Sequence, residues 1–295
     1  MIKVNKDYYT IPEALTRIGC YRKIKRGIEG KDGKVYNGHH YKDGSVKTTL
    51  HLIYNSKCAY CESKIEHAAT LQVEHYRPKD GLQGFLRIQH CGYYWLGCEW
   101  SNLLLACPNC NGKRGKGTKF PINGIRVYDG SMFVDILDVS SYSRNGCIAN
   151  LTPLINEEPL LLNPEIDEPS EHLEFDSDGQ IQSLSLRGTA TISICNLERD
   201  LLQIERQKVR DKLLKEIKRA ITKKILKLYN EVAFLSRLND VFEDVFERTN
   251  PTEEYTLWGR YFYNNFEECF VQKLNPAYQN GIRKAFEAYK NNELN

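Results

Sequence analysis

Cys58-Ala-Tyr-Cys61 and Cys107-Pro-Asn-Cys110 each have the two-residue gap that lets one tight turn present two thiolates to a single metal ion. Together the pairs supply the four sulfur ligands of a closed, tetrahedral structural zinc site. Between them lies Val73-Glu74-His75-Tyr76-Arg77-Pro78. Closing the metal site folds the intervening chain back on itself and holds a Glu-His dipeptide on a small, rigid platform.

Phosphodiester hydrolysis needs a water deprotonated and aligned with the leaving oxygen, and a divalent cation to meet the growing negative charge. A neutral histidine suits the base role because its ordinary pKa lies near neutrality, which assigns that role to His75. Glu74 can turn a carboxylate the other way and hold a hard cation such as Mg²⁺ or Mn²⁺ through oxygen. Asn111, expected at the start of a short helix after the second pair, can add a carbonyl oxygen to the same cation. Asn102, at the start of a second strand, is placed to brace the loop or to orient His75. Lys113, Arg114, Lys116 and Lys119 follow the second pair and are the candidates for phosphate contact.

Cys58-x-x-Cys61, Glu74-His75-x-x-Pro78, Asn102-Leu103 and Cys107-x-x-Cys110-Asn111-x-Lys113 occur in the order seen in the HNH endonucleases, the ββα-metal nucleases, and this segment of about 60 residues resembles them. The resemblance implies that His75 is the general base, Glu74 and Asn111 are ligands of the catalytic metal, and Asn102 supports the active-site loop. Asn111 stands where the namesake motif has histidine, so the chain reads as a His-Asn-Asn variant. A looser likeness spans most of the chain. It rests on Tyr93-Tyr94-Trp95-Leu96, Glu99 to Leu104, Leu160-Leu161-Leu162-Asn163-Pro164, Glu171 to Phe175, and Asn196-Leu197-Glu198-Arg199. It is to the PtuB-type nucleases of Septu antiphage systems, some of them linked to retrons. That branch implies DNA as substrate, an ATPase partner (PtuA) and, through the ATPase, a retron reverse transcriptase with its msDNA. Two other readings stay open: an RNase acting on structured RNA such as tRNA, and a catalytically silent, zinc-stapled nucleic-acid-binding or scaffold subunit.

The elements that must position these residues give an α+β expectation: a small zinc-stapled ββα domain embedded in a largely helical chain. Residues 1–57 read as a helical and loop lead-in, with one helix starting at Thr10-Ile11-Pro12 and another near Ser45 or Lys47 that buries Val46, Leu50 and Ile53 or Tyr54. Residues 58–125 hold the metal motifs, with strands at Leu71–His75 and Asn102–Cys107. The long loop between them carries Tyr93, Tyr94 and Trp95, with Trp100 close by; these aromatics read as core for a small metal domain. Residues 126–190 form a mixed connecting region with a hairpin around Asp176-Ser177-Asp178. Residues 191–295 form a helical domain, a possible docking surface. Its long charged helix over about 197–227 carries the stripe Leu201, Ile204, Val209, Leu213, Ile217 and Ile221.

Across 295 residues, 41 basic against 38 acidic side chains give a net charge of +3, so any nucleic-acid contact must come from local patches. The second basic run, Tyr21 to Arg26, reads equally as solvated surface or as a contact. No run of about 18 apolar residues suggests a membrane span, and the N-terminus lacks a signal-peptide pattern. The expectation is a cytoplasmic chain whose paired thiols bind metal. Cys20, Cys147, Cys195 and Cys269 read as isolated buried hydrophobes. His90, Cys91 and Cys98 are spaced too irregularly for a metal site. His39 and His40 read as exposed, and His67 as structural.

Overall fold

Thr10 does not cap a helix in the computed structural model, which describes residues 1–30, 36–66, 68–86, 90–128 and 146–291. Its hydroxyl bonds Asp7 instead, and Pro12 precedes a single turn, α1 (Glu13–Thr16). Arg17 is extended and separates α1 from α2 (Ile18–Ile28). The next helix forms as the sequence implies. α3 (Gly44–Ile53) is capped by the Asp43 carboxylate, which accepts from the Ser45 N–H, and it buries Val46, Leu50 and the following Tyr54.

β1 (Gln72–His75) pairs antiparallel with β2 (Leu103–Ala106), in the register Gln72↔Ala106, Val73↔Leu105, Glu74↔Leu104 and His75↔Leu103. β2 is apolar throughout and fully buried, as its unbroken leucine run requires. The helix that follows, α4 (Pro108–Asn111), starts earlier than the sequence suggests. Pro108 takes the first helical position, where its fixed φ is pre-organised and its missing N–H is not needed. Asn111 therefore ends this helix rather than opening one. The element order β1, β2, α4 is a compact ββα run. Tyr93, Tyr94, Trp95 and Trp100 are all buried, so the loop aromatics are core.

β3 (Leu173–Phe175) and β4 (Ile181–Ser183) make the hairpin, closed by Asp176, whose carboxylate accepts from Asp178 N and Gln180 N. α5 (Leu186–Cys195) has no clear signal in the sequence: Gly188, Thr189 and Thr191 are poor helix formers, and the helix rests instead on the Ser185 cap and buried Ile192 and Ile194. α6 (Asp200–Ile225), α7 (Glu231–Glu247), α8 (Thr256–Asn264), α9 (Phe266–Cys269) and α10 (Pro276–Lys290) complete the described chain.

Two compact units result: Met1–His172 with Ser183–Leu197, and Leu173–Gln182 with Glu198–Asn295. In the first, the lead-in is built into the metal segment. The N-terminal ammonium pairs with Glu62 at 2.6 Å, and Lys6 bonds Glu165 at 3.0 Å and the Leu103 carbonyl at 2.6 Å. The second unit has a phenylalanine-rich core of Phe242, Phe262, Phe266, Phe270 and Phe286. There the expected α6 stripe is rotated over its first turns. Leu201 is 75% exposed, while Leu202, Arg206 and Arg210 are buried. The Arg206 guanidinium lies 5.0 Å from the Phe175 ring, and Arg210 donates to the Ser177 carbonyl at 2.6 Å, so two long arginine stems cover the hairpin where the periodicity predicts aliphatic side chains. No described helix is long and apolar enough to cross a membrane.

Candidate metal centre and histidine site

The four cysteines of the two pairs converge. Their sulfurs lie within 4.8 Å of one another and all four residues are buried. Cys61 Sγ and Cys107 Sγ are 3.8 Å apart. That is about the edge of a tetrahedron whose centre is ~2.3 Å from each corner, the zinc–sulfur distance. The donor set and its spacing fit a metal ion such as zinc. Each turn is locked from behind. Ala59 N–H donates to the Leu105 carbonyl at 2.7 Å, tying the first turn to β2, and Lys116 N–H donates to the Cys110 carbonyl at 2.7 Å. Gly115 is required at this crossing, since a Cβ there would lie 2.3 Å from the Cys110 oxygen.

Successive residues of a strand leave opposite faces. Glu74 and His75 therefore part company. Glu74 is buried and its Oε1 lies 2.6 Å from Lys116 Nζ. Burial pushes its carboxyl upward in pKa, opposed by the Lys116 charge. Lys116 is itself wholly buried and also donates to the His75 carbonyl at 2.8 Å. The expectation that Lys116 is an open phosphate contact is thus overturned: 42 residues downstream of Glu74, it neutralises that carboxylate in the interior. Asn111 is likewise engaged, its amide donating to Gln72 Oε1 at 3.0 Å. Glu74 is committed to Lys116, whereas Asn111 donates through Nδ2 alone, and its Oδ1 keeps the acceptor lone pairs expected of a cation ligand.

His75 ends β1 on the other face. Its Nε2 lies 3.1 Å from the Gly97 carbonyl, which can only accept, so the neutral ring carries its proton on Nε2 and a lone pair on Nδ1. Tyr41 packs edge-on against the imidazole, ring centroids 4.5 Å apart. Burial drives the imidazole pKa down to about 3, only partly opposed by the Gly97 hydrogen bond, with Lys79 and Lys116 adding to the depression. Gly97 has no room for a side chain, because a Cβ would meet the Tyr36 ring at 2.3 Å.

Asn102 braces the loop. Its Oδ1 accepts from Arg77 N–H at 2.8 Å, and its Nδ2 donates to the Arg77 and Leu96 carbonyls at 3.1 and 3.3 Å. One amide thus joins the turn leaving His75 to the segment carrying Gly97. Of the remaining basic candidates, Lys119 bonds the Gly115 carbonyl at 2.9 Å, while Lys113 and Arg114 are exposed.

Three further arrangements have no signal in the sequence. Arg77 is buried and pairs with Glu157 at 2.7 Å, and Tyr93 and the Val127 N–H also bond that carboxylate. Cys20 is not isolated: its sulfur lies against that of Cys98, beside Tyr36 and His40. Lys42 and Lys79 flank Tyr41, their ammonium groups 5.7 and 5.5 Å from its ring centroid. His90 is spent on packing, accepting from Gly92 N–H and donating to the Val127 carbonyl. His39 is exposed and His40 half-buried; His67 lies outside the described residues.

No family model matches the chain. It is 34% identical to Septu protein PtuB of Bacillus mycoides (strain KBAB4) over 232 residues, which cover 73% of this chain and 72% of that protein. The chain belongs to the Septu PtuB family. A second PtuB, from Bacillus thuringiensis, is 28% identical over 172 residues, half of this chain and 62% of the relative. A stretch of 153 residues is also 31% identical to part of Septu protein PtuA of the Bacillus mycoides strain, covering half of this chain and 18% of that protein. PtuB membership agrees with the looser of the two likenesses drawn from the sequence.

Proposed function

We propose that this PtuB-family chain is an HNH-type endonuclease that hydrolyses phosphodiester bonds, of DNA in preference to structured RNA, as the effector of a Septu antiphage system working beside a PtuA-type ATPase. The observation that carries the reading is the state of His75. It ends β1 between the two metal knuckles, donates through Nε2 to a backbone carbonyl, and has no hydrogen-bond partner on Nδ1 among the described residues. A general base needs that lone pair and a fixed ring. Nδ1 takes the proton of the attacking water. Gly97 and Asn102 keep the ring and its loop in register while it does so. The four cysteine sulfurs would hold a zinc ion, whose role would be to pin the platform rather than to move protons. The PtuB relatives support the Septu assignment, and the PtuA likeness accords with a PtuA-type partner.

The test is cleavage by the purified full chain, alone and with the PtuA-type ATPase, of supercoiled plasmid DNA and of total tRNA, with and without added Mg²⁺ or Mn²⁺. Nicked and linear plasmid is the expected product. Cleavage confined to tRNA would replace DNA with structured RNA as substrate. Binding without any cleavage, under every metal and partner condition, would leave a zinc-stapled scaffold.

A further inference from the structure

Glu74 closes on the buried Lys116 on one face of β1, so Lys116 is lost as a phosphate contact and a substrate phosphate beside His75 needs positive charge on the other face. The His75 face supplies it. Lys42 and Lys79 both lie close to the Tyr41 ring centroid, at 5.7 and 5.5 Å, and that ring lies against His75. A cavity beside them is lined by Lys23, Asn37, His39, His40, Lys42 and Asp43. The one carboxylate in that lining is already occupied. Asp43 accepts from Ser45 N and Oγ and lies 3.6 Å from Arg17.

Lys23, Lys42 and Lys79 make no ion pair among the described residues. For Lys79 this is unusual. It is half-buried, and burial together with the neighbouring Lys42 holds its ammonium below the ordinary lysine range, with Asp80 opposing. Lys79 is partly buried and Lys42 is exposed beside it, so two cations share Tyr41 with no counter-ion among the described residues, and an anion arriving from outside would stabilise them. Each ammonium is a point charge suited to a phosphate. Tyr41 faces both within cation–π range.

We infer that Lys42 and Lys79, with Lys23 at the cavity beyond, form the phosphate seat of the substrate strand on the His75 face. This makes them, rather than Lys113 to Lys119, the principal partners of the nucleic-acid backbone. The inference rests on the nuclease reading above and names the residues that would hold the strand against His75. It also gives the second basic run, in α2, a role through Lys23.

The experiment uses the full-length His75→Ala chain, which can bind without cutting, and a short fluorescein-labelled DNA duplex and its single strands. Anisotropy titrations over a salt series give the slope of log K against log salt. Replacing Lys42 and Lys79 together with Met keeps the stems, and thermal melting confirms the fold. The double change should weaken binding about tenfold or more and flatten the slope by roughly two, since each duplex phosphate that a lysine neutralises adds about 0.9. The Lys113→Met, Arg114→Met chain should keep its slope. Unchanged slope in the Lys42, Lys79 variant, with binding by the parent intact, overturns this inference and leaves the nuclease reading standing. No salt-dependent binding of DNA or tRNA by the parent, with or without the ATPase, overturns both.

Discussion

At the scale of single residues, the site depends on two buried ionisable groups treated in opposite ways. Glu74 has a partner and His75 has none beyond a carbonyl. Breaking a buried pair by removing one member leaves an uncompensated charge, so Lys116→Met should cost about 3–5 kcal/mol in denaturant unfolding. Glu74→Leu combined with Lys116→Met should recover much of that loss, because no charge is then stranded. If the double change is as damaging as the sum of the two, the pair is not the structural unit described. His75 sets a pH dependence. Its folded pKa of about 3 lies below the unfolded value near 6.5, so between those limits the unfolded chain binds the extra proton. The contribution is whole above pH 6.5 and is lost as pH falls toward 3. Urea midpoints measured across that window should fall less steeply for His75→Asn than for the wild type, by an amount worth a few kcal/mol at the acid end.

At the scale of elements, the ββα run and its brace were partly legible. The cysteine gaps, the β-prone Leu71–His75 and the apolar Leu103–Ala106 are local signals, and they are enough to locate the knuckles and both strands. The α6 stripe failed because a periodicity count places arginine on the wet face, whereas Arg206 and Arg210 lay their stems over the hairpin. Lys116 and Glu74, Cys20 and Cys98, and Lys42 beside Lys79 are far apart in sequence, and no spacing rule pairs them. Asn102 is legible as a brace by its place before β2, but its partners, the Arg77 and Leu96 backbone, are set by the tertiary fold. Asn102→Ala strands the buried Arg77 N–H and frees two carbonyls, so it should destabilise the chain by about 1–3 kcal/mol. The histidine loop should loosen with it, read as faster amide exchange across residues 76–78 and 96–97 in Asn102→Ala than in wild type. Unchanged exchange there would show that the amide does not join the two segments.

At the scale of the whole molecule, the two compact units divide the work. The first carries every residue assigned to chemistry. The second offers helices whose exposed apolar residues, Ile225, Leu226, Leu228 and Val232 among them, cluster where α6 turns into α7. A metal ion held by the four cysteines would tie the first unit together, because both knuckles grip β2 and its flanks. One tightly held zinc per chain is expected by elemental analysis. Cys58→Ser or Cys107→Ser should lose it, and a strong chelator should remove it and melt the first unit, since structural zinc is coupled to folding. Metal-free wild type with an unchanged melting curve would show that no ion pins the platform.

On the nuclease reading the platform serves to hold one base, so the most direct measurement compares wild type and His75→Ala at equal zinc content and equal melting temperature, each with the PtuA-type ATPase and plasmid DNA. His75→Ala should keep its zinc and its fold and lose cleavage by about 10²–10⁴-fold, the range of a positioned general base. His75→Ala cutting plasmid at the wild-type rate would contradict the assignment of His75 as the base.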